Sequence, residues 1–224
     1  MPKIKCRYNA FTLAEVLITL GIIGIVASMT IPTLINKYQE KVTVTRVKKF
    51  YSMMSQALQF AIAENGPVDT WSYTSNGQYD EESSKEFTNY FKKYLKVSKD
   101  CANESGCIAN SRVKYLHGQD TWSNYDTDKH YKMILMDGSY LWIRNNYIGC
   151  TTADGEKPNV CGLMWLDVNG KSEPNTFGKD IFVFHIMKNR IEPKIEDDCN
   201  LNSQGWGCSK YILTHDNMDY LHEQ

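Results

Sequence analysis

From Val16 to Asn36 the chain carries no formal charge, and the first ionisable residue beyond this run is Lys37. Its twenty-one residues, at about 1.5 Å each, make roughly 31 Å of helix, close to the hydrocarbon thickness of a bilayer. A soluble domain has little reason to carry such a run, so membrane insertion is the first constraint on the fold. The remainder of the 224 residues is decidedly polar. The chain therefore reads as one anchor followed by a soluble domain, not as a polytopic protein. One residue does not fit a plain anchor: Glu15, a single carboxylate at the very start of the apolar stretch.

Tyr (14) and Trp (5) are plentiful while Pro (6) is sparse, which argues for β-structure with an aromatic core and against disorder. The formal charge is −1, with no basic bias of the kind that marks a nucleic-acid binder. Of seven cysteines, Cys6 precedes the apolar run and the other six fall into close pairs: Cys101/Cys107, Cys150/Cys161 and Cys199/Cys208. Proximity favours these three as local disulfides, which fits a domain exported to an oxidising compartment. Free thiols and zinc are the alternatives. The spacings are wider than usual for zinc, and no histidine falls close to a pair.

Met1 to Ala10 carries Lys3, Lys5 and Arg7 and no acid, so this end is expected to stay cytoplasmic. The apolar core is longer than that of an ordinary signal peptide, and "IVASMTIPTL" offers no A-x-A-like cleavage site. An uncleaved signal anchor is the plain reading. The distal flank, with Lys37, Lys41, Arg46, Lys48 and Lys49 against Glu40, is basic too. Charge alone therefore does not set the topology.

The string "A-FTLAEVLITLGIIGIVASMTIP" closely resembles the N-terminus of type IV prepilins and type II secretion pseudopilins. The resemblance implies a basic leader cut by a prepilin peptidase between Ala10 and Phe11, with methylation of the new N-terminus. The family usually has Gly before the cut, so Ala10 is a departure. Glu15 stands at the family's fifth mature position, Pro32 where a proline is expected near the end of the run, and Gly24 also matches. In that family the acid attracts the N-terminal amine of a neighbouring subunit as the filament grows. A carboxylate in a membrane segment is costly unless paired, so pairing on assembly would favour recruitment and register. The bland alternative is a Glu15 solvated at headgroup depth. Pro32 lacks a helical donor and permits a kink.

The partners implied are other pilin or pseudopilin subunits, the prepilin peptidase, an assembly platform protein with its ATPase, and membrane lipid. The implied location is the inner membrane, single-pass, with the C-terminal domain periplasmic. Two other readings remain: a minor or tip pilin that captures DNA or a surface, and a signal-anchored periplasmic domain that never assembles. Without the leader's three cations, 22 Lys plus Arg face 26 Asp plus Glu, a formal charge of −4 that disfavours DNA capture.

Beyond Pro32, Val47, Tyr51, Met54, Leu58 and Ala61 recur in steps of four and three, and Asn65-Gly66-Pro67 supplies a stop. One long helix from about Phe11 to Glu64 is predicted, its second half covering a globular domain. "SSKEFTNYFKKYLKV" predicts a short helix with Phe87 and Phe91 inward. Asp137-Gly138, flanked by apolar runs, predicts a hairpin, and a second is predicted with strands Leu163 to Val168 and Ile181 to Met187. The acidic tail after Pro193 reads as a loop pinned by Cys199/Cys208. The fold class expected is α+β and pilin-like: a long N-terminal helix packed on an antiparallel sheet with disulfide-stapled loops. Its segments are a leader (1–10), a transmembrane half-helix (11–35), an amphipathic half-helix (36–65) and a globular domain (66–224).

Some major pseudopilins bind calcium in a C-terminal loop, which makes Asp167, Asn169 and Asp180 candidate ligands. Lys171 and Gly178 occupy positions where an EF-hand needs an oxygen ligand and an acid, so that motif fails. The other reading is an Asn169-Gly170 turn in which Asp167 makes local hydrogen bonds. No other cofactor is implied. Neither a G-x-S-x-G nor an H-E-x-x-H nor a phosphate-binding loop occurs, and a non-enzymatic role is expected. His185 reads as a sheet-face residue, and the five tryptophans as core or turn packing.

Overall fold

The computed structural model describes residues 12–73, 80–108, 112–122, 124–146, 148–195 and 198–222. Helix α1 (Leu13–Asn65) runs unbroken through Pro32. The chain divides into two units, Met1–Lys41 and Val42–Gln224. In the first, every residue from 12 to 39 is exposed except the half-buried Ala27.

The second unit is built on six antiparallel strands in meander order: β1 (Val97–Ala102), β2 (Tyr131–Leu135), β3 (Tyr140–Asn145), β4 (Gly162–Asp167), β5 (Ile181–Ile186) and β6 (Ile191–Pro193). The β2–β3 hairpin turns at Asp137-Gly138 as predicted. Gly138 takes φ 83°, which glycine adopts at no steric cost, and Asp137 Oδ1 accepts from Ser139 N at 3.2 Å. The second predicted hairpin is β4–β5, with Leu163 opposite His185 and Leu166 opposite Phe182.

Strand periodicity sends alternate residues to opposite faces. One face carries Met133, Leu141, Ile143, Met164, Leu166, Phe182 and Phe184, all buried. It packs against the α1 residues Val44, Val47, Phe50, Met54, Ala57, Leu58 and Ala61, an i, i+3/i+4 stripe. Phe50 meets Phe184 at 5.5 Å between ring centroids, and Gln59 Nε2 donates to Asn189 O at 2.7 Å. Tyr51, predicted inward, is half-buried and donates from its hydroxyl to Ile191 O at 3.3 Å. Each fully buried large side chain here contributes about 1.5–3 kcal/mol. Helix α2 (Glu81–Lys92) covers the same face, capped by Asp80, which accepts from Ser83 N at 2.7 Å. Phe87 and Phe91 point inward as predicted. Gly162 permits the close approach: a Cβ there would lie 2.8 Å from Arg144 O and 3.0 Å from the Phe87 ring.

The opposite face carries Tyr140, Trp142, Leu163, Trp165, Ile181 and Val183, covered by loops rather than helices. Phe177 stacks on Trp206 at 4.6 Å, and Tyr125 reaches Trp165 at 5.8 Å. The disulfides are Cys101–Cys107, Cys150–Cys161 and Cys199–Cys208, the three local pairs. The fold is thus α+β, a long helix with an antiparallel sheet and disulfide-closed loops.

Three features depart from the sequence reading. The tail after Pro193 is not all loop: it contains helix α3 (Cys208–His215), which buries Cys208, Ser209 and Ile212. Eight residues are too few for periodicity to register against the acidic surroundings. Strand β1 was unmarked because its pattern is mostly exposed and its pairing with β2 shifts register twice. Trp122 is 90% exposed, whereas Trp71, Trp142 and Trp165 are buried.

Candidate functional site

The charge-free segment begins with a helix cap. Thr12 Oγ1 accepts from Glu15 N at 3.2 Å, while Glu15 Oε2 accepts from Thr12 N at 2.8 Å and from the Thr12 hydroxyl at 2.9 Å. This is a reciprocal capping box: the side chain of the residue before the helix and that of the third helical residue satisfy each other's backbone donors. Glu15 therefore starts the helix as well as carrying its charge. Thr-x-x-Glu was legible in the sequence as a capping signature, and the charge anomaly hid it. Ala10 and Phe11 lie outside the described residues.

Along the segment the polar side chains bond back to their own helix. Thr19 Oγ1 donates to Val16 O, Ser28 Oγ to Ile25 O, and Thr30 Oγ1 to Val26 O, at 2.8–2.9 Å. Each of these hydroxyl protons is satisfied without water. Leu13, Leu17, Ile22 and Leu34 are exposed by 58–78%. A Cβ added at Gly21 or Gly24 would meet nothing within 4 Å. Among the described residues α1 is the one helix long and apolar enough to cross a membrane.

The calcium candidates do come together, at the β4–β5 connection. Asp167 Oδ1 accepts from Asn169 N at 3.1 Å and Gly170 N at 2.8 Å. Asp180 accepts from Asn175 N at 2.8 Å, Thr176 N at 2.6 Å and Asn169 Nδ2 at 3.1 Å. Burial first, and then the Asp180 charge, push the Asp167 carboxyl up to about 8; burial likewise raises Asp180. The Asn169 amide nitrogen also donates to Glu173 O at 3.3 Å. The cluster is a closed turn that fixes the connection between two central strands.

Residues 33–223 match a family of unknown function (DUF6613). The chain belongs to that family. Residues 5–31 match the prokaryotic N-terminal methylation motif, so this DUF6613 member is type IV pilin-like. Neither the curated proteins nor the solved structures gave a match. In this DUF6613 chain the methylation motif ends at Ile31, within the exposed apolar half of α1. The family match begins at Thr33 and takes in the whole sheet.

Proposed function

We propose that the protein is a structural subunit of a type IV pilus-like or type II secretion pseudopilus filament. A prepilin peptidase would cut between Ala10 and Phe11, and the new amine of Phe11 would be methylated. Residues 11–35 would hold the precursor in the inner membrane with its C-terminal domain in the periplasm. The observation that carries this reading is a methylation motif whose described part from Leu13 on lies in a helix with an exposed apolar surface. Such a surface needs a hydrocarbon environment, first lipid and then neighbouring helices. Gly21 and Gly24, where an added Cβ would meet no described atom within 4 Å, would allow close approach of a second helix. Glu15 would pair with the amine of an adjacent subunit. An assembly ATPase and platform protein would supply the work, and the chain's own role would be structural.

The test is the intact mass and N-terminus of the protein from membranes of its native host. A chain that begins at Phe11 and carries one added methyl supports the reading. A chain that retains Met1 to Ala10 refutes it and leaves an uncleaved anchor.

A further inference from the structure

On the loop-covered face of the sheet, strand register places Arg144, Leu163 and His185 side by side on β3, β4 and β5. At about 4.8 Å per strand this row is roughly 10 Å long, a cation at one end and an imidazole at the other. The covering loops leave a cavity of about 520 Å³ over this end of the sheet. That is the range in which small-molecule sites fall.

Its lining is aromatic and rich in donors. Tyr115, Tyr125, Trp165 and Trp206 form walls, and Trp122 stands at the rim with 90% of its surface exposed. The indole N–H groups of Trp165 and Trp206 are buried with no acceptor among the described residues, and His130 Nε2 is buried with no partner among them. The Arg144 guanidinium lies over the Trp165 ring at 5.4 Å. Burial first, and then the charges of Arg144, Lys132 and Lys129, push His130 down to about 3. Asp154 opposes this little, because it is already matched: His185 Nε2 lies 2.8 Å from its Oδ2, and Lys194 is ion-paired to it. Amide and hydroxyl groups of Asn124, Thr127 and Gln204 complete the lining.

We propose that this cavity binds an acidic sugar, a pyranose carrying a carboxylate as in a uronic acid residue of a polysaccharide. The carboxylate pairs with the lining cations, the ring lies against indole, and the amides and hydroxyls take the sugar hydroxyls. A nucleic-acid strand needs a long basic groove. Here the lining cations Lys129, Arg144 and Lys194 face Asp128 and Asp154, which suits a ligand of one charge per ring.

The site does not depend on N-terminal processing, so the test uses the full-length chain in detergent. Tryptophan fluorescence is titrated with an oligomer of glucuronic acid, a glucose oligomer of equal length and a single-stranded DNA oligomer. The glucuronate oligomer is expected to bind at least about tenfold tighter than the glucose oligomer. Arg144→Gln is expected to abolish that preference. Trp122→Ala, at an exposed residue whose loss leaves the fold alone, is expected to weaken glucuronate binding about fivefold. Three results overturn the proposal: no glucuronate binding by the wild type, equal affinity for the two sugars, or glucuronate affinity untouched by Trp122→Ala. Tighter binding of the DNA oligomer, falling steeply with salt, would overturn it in favour of nucleic acid.

Discussion

Asp167→Asn replaces one of two facing buried carboxyls with a group of the same shape that cannot ionise. The substituted amide keeps an oxygen for the Asn169 and Gly170 N–H groups, which Asp167 Oδ1 accepts at 3.1 and 2.8 Å. In the folded domain the Asp167 carboxyl is pushed up to about 8 from its ordinary 3.8. In the unfolded chain it ionises at its ordinary value. The folded state is therefore favoured fully below about pH 4, and this contribution is lost progressively as pH rises toward 8. At about 1.4 kcal/mol per tenfold, the ceiling on that loss is about 6 kcal/mol. Asp180 stays buried beside the new amide, so a single substitution is expected to recover only about 2 kcal/mol of this at pH 8. Near pH 4 it should recover almost nothing. For a domain of this size the gain corresponds to a Tm about 5 °C above wild type at pH 8, with the two curves converging in acid. Thermal unfolding of the full-length chain in detergent, from pH 4 to 9, measures this directly. Parallel curves, or a variant less stable than wild type at pH 8, would refute the reasoning. Added calcium supplies a second check: a rise in the wild-type Tm at pH 8 that Asp167→Asn abolishes would mean that the closed turn reorganises around a cation.

Glu15 caps the helix, and the proposed assembly would give its charge a second, separable role. Glu15→Gln keeps the capping box and removes the charge, and is expected to abolish filaments while precursor helix content is unchanged. Thr12→Ala removes the cap, at a cost of about 1 kcal/mol to the helix start, and is expected to leave filaments largely intact by electron microscopy. The opposite pattern would make Glu15 a cap alone. Gly162→Ala is expected to destabilise the domain by about 1–3 kcal/mol, read as a lowered denaturation midpoint, because its Cβ meets backbone at Arg144 O. Replacing Cys150 and Cys161 together by Ser opens a crosslink with a sequence separation of 11 and is expected to cost about 2–3 kcal/mol in the same assay.

What the sequence disclosed followed the strength of local signals. The α1 stripe, the Asp137-Gly138 turn, Phe87 and Phe91 on α2, and the close cysteine pairs each depend on residues within a few positions of one another. Strand β1 and helix α3 lacked such signals. In β1 only Cys101 is buried, so no alternation shows; α3 is a single short helix whose place is set by Cys199–Cys208 and by Ile212 in the core. The Asp167, Asn169 and Asp180 cluster was foreseen as a set, but whether its oxygens face outward or fold onto backbone N–H groups depends on loop geometry. The row of Arg144, Leu163 and His185 could not be read at all. It exists only once three strands have taken their register, and its members share no local pattern in the chain.

The hydroxyls of Thr19, Ser28 and Thr30, each bonded back to its own helix turn, bear on how such a segment changes surroundings. A helix whose hydroxyls needed outside partners would have to break and remake bonds on leaving lipid for a bundle of neighbours, and each exchange would raise the barrier between the two environments. Under the proposed function this helix would enter either medium with these hydroxyl protons already placed. In the proposed filament, transfer between the two would then turn mainly on surface shape, save at the turn that holds Glu15 and at Pro32, which gives the helix no donor.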